Sequence, residues 1–197
     1  MGATESDRRR AVFLDRDGVI NRNVFNPATG EYESPLSAED FEFIPGALEA
    51  MRELQSAEFL LFLVSNQPNV AKGKSTLEQL AGIHEKLLSG LTQAQVEFAE
   101  FYYCFHHPQG IVSGYSGRCE CRKPSPHFLF KARSEFEVEL SRSWMVGDRP
   151  TDVECGKAAG TRTILLDSAE SPRASETLPD KVARDLFTAA GLILSAE

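Results

Sequence analysis

The sequence predicts an α/β fold: a doubly wound, Rossmann-like parallel sheet with helices on both faces. Three observations carry this reading. Short, largely apolar runs at 11–15, 59–65 and 144–146 lack the polar alternation of a sheet with one wet face. Each run stops in polar or turn residues, and segments with helical spacing lie between the runs. Strands alternating with helices in this way join through right-handed crossovers into parallel order.

The elements follow in order. Residues 11–15, AVFLD, read as a buried strand that opens into a loop at Arg16-Asp17-Gly18. Residues 19–44 are polar and rich in turn pairs and form a long excursion, too short for a separate cap domain. Pro45 starts a helix whose Leu48, Met51 and Leu54 keep helical spacing. Residues 59–65, FLLFLVS, give the strongest strand pattern, stopped by Asn66, Gln67 and Pro68. Ser75 with Glu78 spells a capping box for a helix carrying Leu77, Leu80, Ile83, Leu87 and Leu88. An aromatic strand over 98–105 precedes an aperiodic stretch at 106–124. A helix then runs over about 126–140, and a short strand over 144–146 ends in Gly147-Asp148. A helix over 151–159, closed by Gly160, leads to a last strand at 163–166. The polar segment 167–178 reads as mobile, and a final helix spans 179–194 with Val182, Leu186, Ala190 and Ile193 on one face.

The 197 residues fit one domain over 1–197 with a flexible tail at 1–10, and a chain of this length buries a core without disulfides. With 21 basic and 29 acidic residues the formal charge is −8, a poor match to nucleic acid. The longest strongly apolar run, Phe59 to Val64, falls far short of the ~20 residues that span a bilayer. The N-terminus shows no secretory pattern. A cytoplasmic monomer without membrane or nucleic-acid partners is the expectation.

In parallel sheets, ligands bind beyond the carboxyl ends of the strands, and polar groups gather there: Asp15, Ser65-Asn66, His106 and Asp148. Asp15 at a strand end suits attack on an electrophile and coordination of a hard cation, while Asp17 suits a protonated acid. A lone Asp-x-Asp in a turn is equally an ordinary local hydrogen-bonding device. Asp148 can complete an oxygen shell for Mg²⁺; Asp152 is either a supporting group or a first-turn acid favoured by the helix dipole. Ser65 and Asn66 can hold phosphate oxygens, and Lys123, set among prolines in RKPSP, can offset charge on a transferring phosphoryl group.

Cys104-x-His106 and Cys119-x-Cys121 offer four ligands for tetrahedral zinc, in a loop over 104–121. Free thiols beside a surface histidine are the alternative that spacing leaves open. Four protein ligands would close the shell, favouring a structural ion, and Cys121 immediately precedes Arg122 and Lys123. Cys155 reads as a small core residue, His84 and His127 as structural, His107 as a neighbour of a ligand, and Trp144 as packing.

Together FLDRDGVIN (13–21), VSNQ (64–67), CRKPSP (121–126) and VGDRPTD (146–152) resemble the motifs of the haloacid dehalogenase superfamily of phosphatases, across about residues 11–166. The resemblance implies a phosphoaspartyl mechanism. Asp15 would be the nucleophile and Asp17 the acid and then base. Asp15, the main chain of Asp17 and Asp148 would hold Mg²⁺, and Ser65 and Lys123 would hold the phosphoryl group. The strings YYCFHHPQG (102–110) and CECRKP (119–124) are similar to those of heptose 1,7-bisphosphate phosphatases that remove the C7 phosphate in lipopolysaccharide synthesis. Histidinol-phosphate phosphatases, the alternative, share the four zinc ligands with a shorter loop between the pairs. By family position Asn23, Val24, Phe25, Asn26, Ser65, Asn66, Gln67, Pro68, Arg122, Lys123 and Arg149 would touch a small phosphorylated sugar. The chain departs at Pro68-Asn69, where relatives carry Ser-Gly, and at Lys72, where they carry Arg; Pro68 stiffens that loop and removes a donor. A receiver domain storing phosphate on Asp15 and a non-catalytic zinc module are the competing classes.

Overall fold

The computed structural model describes residues 9–27, 30–167 and 177–196. Eight strands and five helices follow one another along these residues. Strand β1 (Ala11–Leu14) leads through a small hairpin, β2 (Val24–Asn26) and β3 (Glu31–Glu33), to α1 (Ala47–Ser56). Then come β4 (Leu60–Asn66), α2 (Leu77–Gln93), β5 (Glu100–Cys104) and α3 (His127–Phe136). The chain closes with β6 (Trp144–Gly147), α4 (Pro150–Ala159), β7 (Arg162–Leu166), β8 (Lys181–Ala183) and α5 (Leu186–Leu194). Six strands form one parallel sheet in the order β5-β4-β1-β6-β7-β8, and β2 pairs with β3 antiparallel outside it.

The apolar runs lack alternation because both faces of the sheet are covered. Val12, Leu14, Leu61, Leu63 and Val146 pack toward α1, α2 and α5, whereas Ala11, Phe13, Phe62, Val64 and Met145 pack toward α3 and α4. On the second face the rings form a ladder: Phe13 stacks on Phe62 at 5.1 Å, Phe62 on Tyr102 at 6.2 Å, and Tyr102 on Phe128 at 4.9 Å. Trp144 packs as expected, with the Arg162 guanidinium 4.2 Å from its ring centroid. Cys155 is fully buried among the α3/α4 core residues, and His84 meets the Tyr103 hydroxyl at 3.0 Å.

The chain visits β4 and β5 on one side of β1, then crosses to β6 on the other. The reversal leaves a crevice beyond the ends of β1 and β6, where parallel sheets take their ligands.

Several expectations are corrected. The final helix over 179–194 is instead a strand and a shorter helix. Lys181–Ala183 pairs with β7, and Asp185 ends the strand by accepting from the Thr188 amide at 2.7 Å, as an N-cap. The capping box on α2 is Thr76 with Gln79, one residue beyond Ser75 and Glu78. Helix α3 stops at Phe136 because Glu137 adopts φ +57°. The excursion 19–44 contains the β2–β3 hairpin. The expected tail over 1–10 lies outside the described residues through Arg8. Arg9 and Arg10 are built into the fold: the Arg9 amide donates to the Glu137 carbonyl, and Arg10 covers the Phe59 ring while donating to the Ala57 carbonyl. The segment expected to be mobile, 167–178, lies outside the described residues over 168–176.

Because Phe62 sits at the centre of the ring ladder, Phe62→Ala should lower unfolding free energy by about 3–5 kcal/mol. Urea titration followed by circular dichroism measures it.

Candidate active site

Asp15 follows β1 and Asp148 follows β6, so the two strand ends flanking the crevice each deliver a carboxylate. Asp152 joins them from the first turn of α4, and ligand oxygens of all three lie within 4.8 Å of one another. Two glycines make this approach geometrically feasible. Gly18 has φ +78°, and a Cβ there would collide with the Asp148 carboxylate; a Cβ at Gly147 would collide with Asp152. Asp152 accepts from the Arg149 amide at 3.0 Å, so it is both the cap of α4 and part of the cluster.

Lys123 is the cation inside this cluster. Its ammonium is buried, 3.0 Å from Asp15 Oδ1 and 2.6 Å from Asp152 Oδ1, and donates to the Val64 carbonyl at 2.7 Å. Burial opposes its charge, but Asp15 and Asp152 outweigh burial and raise its pKa. Asn66 clamps the Lys123 main chain, accepting from its amide at 3.1 Å and donating to its carbonyl at 3.2 Å.

One lysine does not balance three buried carboxylates. Burial, and then Asp15 and Asp152, push Asp148 above the ordinary carboxylate range. Its Oδ1 is buried without a hydrogen-bond partner among the described residues. An all-oxygen set with an orphaned buried acceptor fits a hard divalent cation such as Mg²⁺. Asp15 and Asp148 belong to this set as expected, together with Asp152; the Asp17 carboxylate stands apart from it.

Asp17 is held in a ring of donors. Arg16 donates from Nε to Oδ1 at 3.0 Å and from Nη2 to Oδ2 at 3.2 Å. Asn21 donates to Oδ1 at 2.9 Å and Gln67 to Oδ2 at 2.7 Å. Burial alone would raise the Asp17 pKa, but Arg16 and these hydrogen bonds outweigh it and lower it. The donors around Asp17 thus favour its charged form, where the sequence points to a protonated acid.

Gln67, expected at the substrate, is fully buried beside this ring, donating also to Ser65 Oγ at 3.0 Å. It faces a small apolar cavity of about 170 Å³ lined by Leu77, Leu80, His84 and Tyr103. Ser65 is buried likewise. Neither lines the large cavity, of about 510 Å³, that opens over Asp15 and Asp17. Asn66, Pro68, Arg122, Lys123 and Arg149 do line it. Around the hairpin, Glu31, Tyr32, Glu33 and Ser34 line the cavity, whereas Asn23, Val24, Phe25 and Asn26, expected at the substrate, are not among its lining residues. Asn23 instead lies beside Gly18, and Asn26 donates to Glu33 Oε1 at 3.2 Å. Lys72 and Lys74 also line the cavity. The clustering of Lys72, Lys74, Arg122 and Arg149 lowers the Lys72 pKa, after burial, through like-charge repulsion.

Cys104, His106, Cys119 and Cys121 converge at one end of this wall. Cys121 Sγ lies 3.1 Å from Cys104, 3.5 Å from Cys119 and 3.9 Å from His106 Nδ1, and all three thiols are free. Sulfurs around tetrahedral zinc, each about 2.3 Å from the ion, stand close to this far apart. The loop between the ligand pairs reaches the cavity wall, for the amides of Ile111 and Val112 donate to the Ala71 carbonyl at 2.7 and 3.1 Å. Arg122 donates to the His106 carbonyl at 3.2 Å.

Comparison with known proteins agrees with this geometry. A HAD-hydrolase-like family model matches residues 120–189. The chain is 38% identical over 156 residues to the D-glycero-beta-D-manno-heptose-1,7-bisphosphate 7-phosphatase of Escherichia coli (strain K12), covering 79% of this chain and 78% of that one. It is 36% identical over 189 residues to the D-glycero-D-manno-heptose-1,7-bisphosphate 7-phosphatase of Chlorobaculum tepidum, covering 91% and 92%. Among solved structures, the D,D-heptose 1,7-bisphosphate phosphatase of B. bronchiseptica, complexed with magnesium and phosphate, superposes with a TM-score of 0.78. That match has 26% identity over 95% of this chain and 99% of that one. A carboxylate nest at a strand-reversal crevice, a buried lysine beside it, and this degree of identity together place the chain in the HAD-like phosphatases, in the branch that holds the heptose 1,7-bisphosphate 7-phosphatases.

Proposed function

We propose that this phosphatase removes the C7 phosphate of D-glycero-D-manno-heptose 1,7-bisphosphate. The observation that supports it best is the placement of Lys72, Lys74, Arg122 and Arg149 around the same cavity as Asp15. Lys123 already answers the phosphoryl group at the floor. Four further cations suit a second phosphate on the same small substrate, which histidinol phosphate lacks.

Asp15, its carboxylate 3.0 Å from Lys123, attacks phosphorus, and the bond from phosphorus to the C7 oxygen breaks. Asp17 hands a proton to the departing alkoxide. The rest state of Asp17 is ionised, so that proton enters with the substrate, whose phosphate monoanion carries one. Asp17 then takes a proton from water as the water oxygen bonds to phosphorus, the Asp15–phosphorus bond breaks, and phosphate leaves carrying that proton, with Asp15 and Asp17 both restored. The balance is ester plus water to alcohol plus phosphate. Lys123 offsets the charge that accumulates on the phosphoryl oxygens. Asp15 and Asp148, with the main-chain carbonyl of Asp17, would hold Mg²⁺, which supplies Lewis-acid polarisation of the phosphoryl group. Gly18 keeps the Asp15 and Asp148 ends in register. Ser65 and Gln67 act from beneath, by fixing Asp17, rather than on the sugar.

Zinc at Cys104, His106, Cys119 and Cys121 serves structure. It ties β5 to the Arg122-Lys123 segment and, through the Ile111 and Val112 amides, to Ala71 in the loop that carries Lys72.

Asp15→Asn should lower turnover of heptose 1,7-bisphosphate on the order of 10⁴-fold while retaining the native circular dichroism spectrum. Near-normal phosphate release by that variant would remove the covalent route. Gly18→Ala, with its positive φ and its collision with Asp148, should lose both activity and Mg²⁺ affinity, read by isothermal calorimetry. Stripping zinc, with Mg²⁺ then restored in excess, should speed amide exchange across 104–123 and reduce kcat/KM. Unchanged exchange in protein shown to be zinc-free would break the link between the two sites.

A further inference from the structure

We infer that Glu33 sets the enzyme's discrimination between substrates with one phosphate and substrates with two, by occupying the cation that a second phosphate would use. The inference rests on the reading of the cavity given above. Glu33 ends the return strand of the β2–β3 hairpin and projects over the cavity, where both of its carboxylate oxygens lie 2.8 Å from Lys74 Nζ. Asn26 across the hairpin donates to the same carboxylate and fixes its orientation. The Glu33 side chain is 15% exposed and that of Lys74 37%, so the pair is partly shielded from solvent.

The charges around it give the pair its meaning. Lys72, Lys74, Arg122 and Arg149 repel one another, and Glu33 is the acid that offsets Lys72. In the ligand-free protein Glu33 is therefore the counter-ion of a cluster suited to an anion. A phosphate carries up to two charges and three acceptor oxygens against one charge and two oxygens for a carboxylate. A substrate with a second phosphate displaces Glu33 from Lys74 and recovers the cost. A monophosphate meets a mouth that is already neutralised, and gains nothing from it. Glu33 thus lowers affinity for the second phosphate and narrows the gap between the two substrates, a repulsive element set beside attractive ones.

Glu33→Gln tests this, because the amide oxygen keeps the acceptor for Asn26 while the charge is lost. KM would be measured for heptose 1,7-bisphosphate and for heptose 7-phosphate with wild type, Glu33→Gln, Lys74→Met and the double variant. Glu33→Gln should lower KM for the bisphosphate about three- to tenfold relative to that for the 7-phosphate, the range expected for a partly exposed ion pair. In the Lys74→Met background the substitution should have less than half that effect on a logarithmic scale. Equal changes for both substrates, or a rise for the bisphosphate alone, would overturn the role of Glu33 while leaving the cavity's assignment intact. Wild-type enzyme that treats the two substrates alike would overturn that assignment and this inference with it. The comparison is made between substrates on one folded protein, so a loss of stability in a variant does not mimic the expected ratio.

Discussion

The site depends on a single buried ammonium. Lys123 sits where three carboxylates meet, and without it only the half-exposed Arg149, 3.9 Å from Asp148 Oδ1, would offset their charge. Removing one partner from a buried ion cluster is far more damaging than a comparable change at the surface. The surrounding structure is arranged to deliver that group: Asn66 grips its main chain from both sides and Val64 supplies a carbonyl to its Nζ. Lys123 alone leaves the three carboxylates two positive charges short, a deficit that suits a divalent cation.

Two kinds of support separate chemistry from recognition. The clustered carboxylates rise from the ends of β1 and β6 and from the first turn of α4, and the two strands are covered on both faces by the core. The rest of the cavity wall comes from lighter parts: the hairpin, the loop over 68–74, and the segment after Cys121. The hairpin and the 68–74 loop meet through Lys74 with Glu33, and that loop meets the insert between the cysteine pairs through Ala71 with Ile111 and Val112. Asp17 sits between the two groups, on the strand-end turn but held by Arg16, Asn21 and Gln67.

Much of this was legible in the sequence where the physics is local. Runs such as FLLFLVS announce strands buried on both sides, and the polar residues that stop them mark the edge of the crevice. The four-ligand pattern at 104–121 is readable because closely spaced soft ligands have few other uses. What was hidden depends on contacts between distant residues. The short strand Lys181–Ala183 has no periodicity of its own and merged with the helix behind it; only pairing with β7 defines it. The cap of α2 slipped by one residue because Ser75-x-x-Glu78 and Thr76-x-x-Gln79 are equally good local signatures. Glu31, Tyr32 and Glu33 form a strand too polar to notice. Gln67 looks like a ligand-facing turn residue until Arg16 is seen to lie against it. A buried arginine paired with the next residue along, Asp17, is the one signal that could have pointed to the ring.

The tether from Ile111 and Val112 to Ala71 has a further consequence. An ion held among the sulfurs would anchor, through this tether, the loop that carries Lys72 and Lys74 as well as the Arg122-Lys123 segment. Scarcity of that ion in a cell would accordingly loosen the lysine at the floor of the crevice and its outer wall together, so that throughput and fidelity would both register the metal supply.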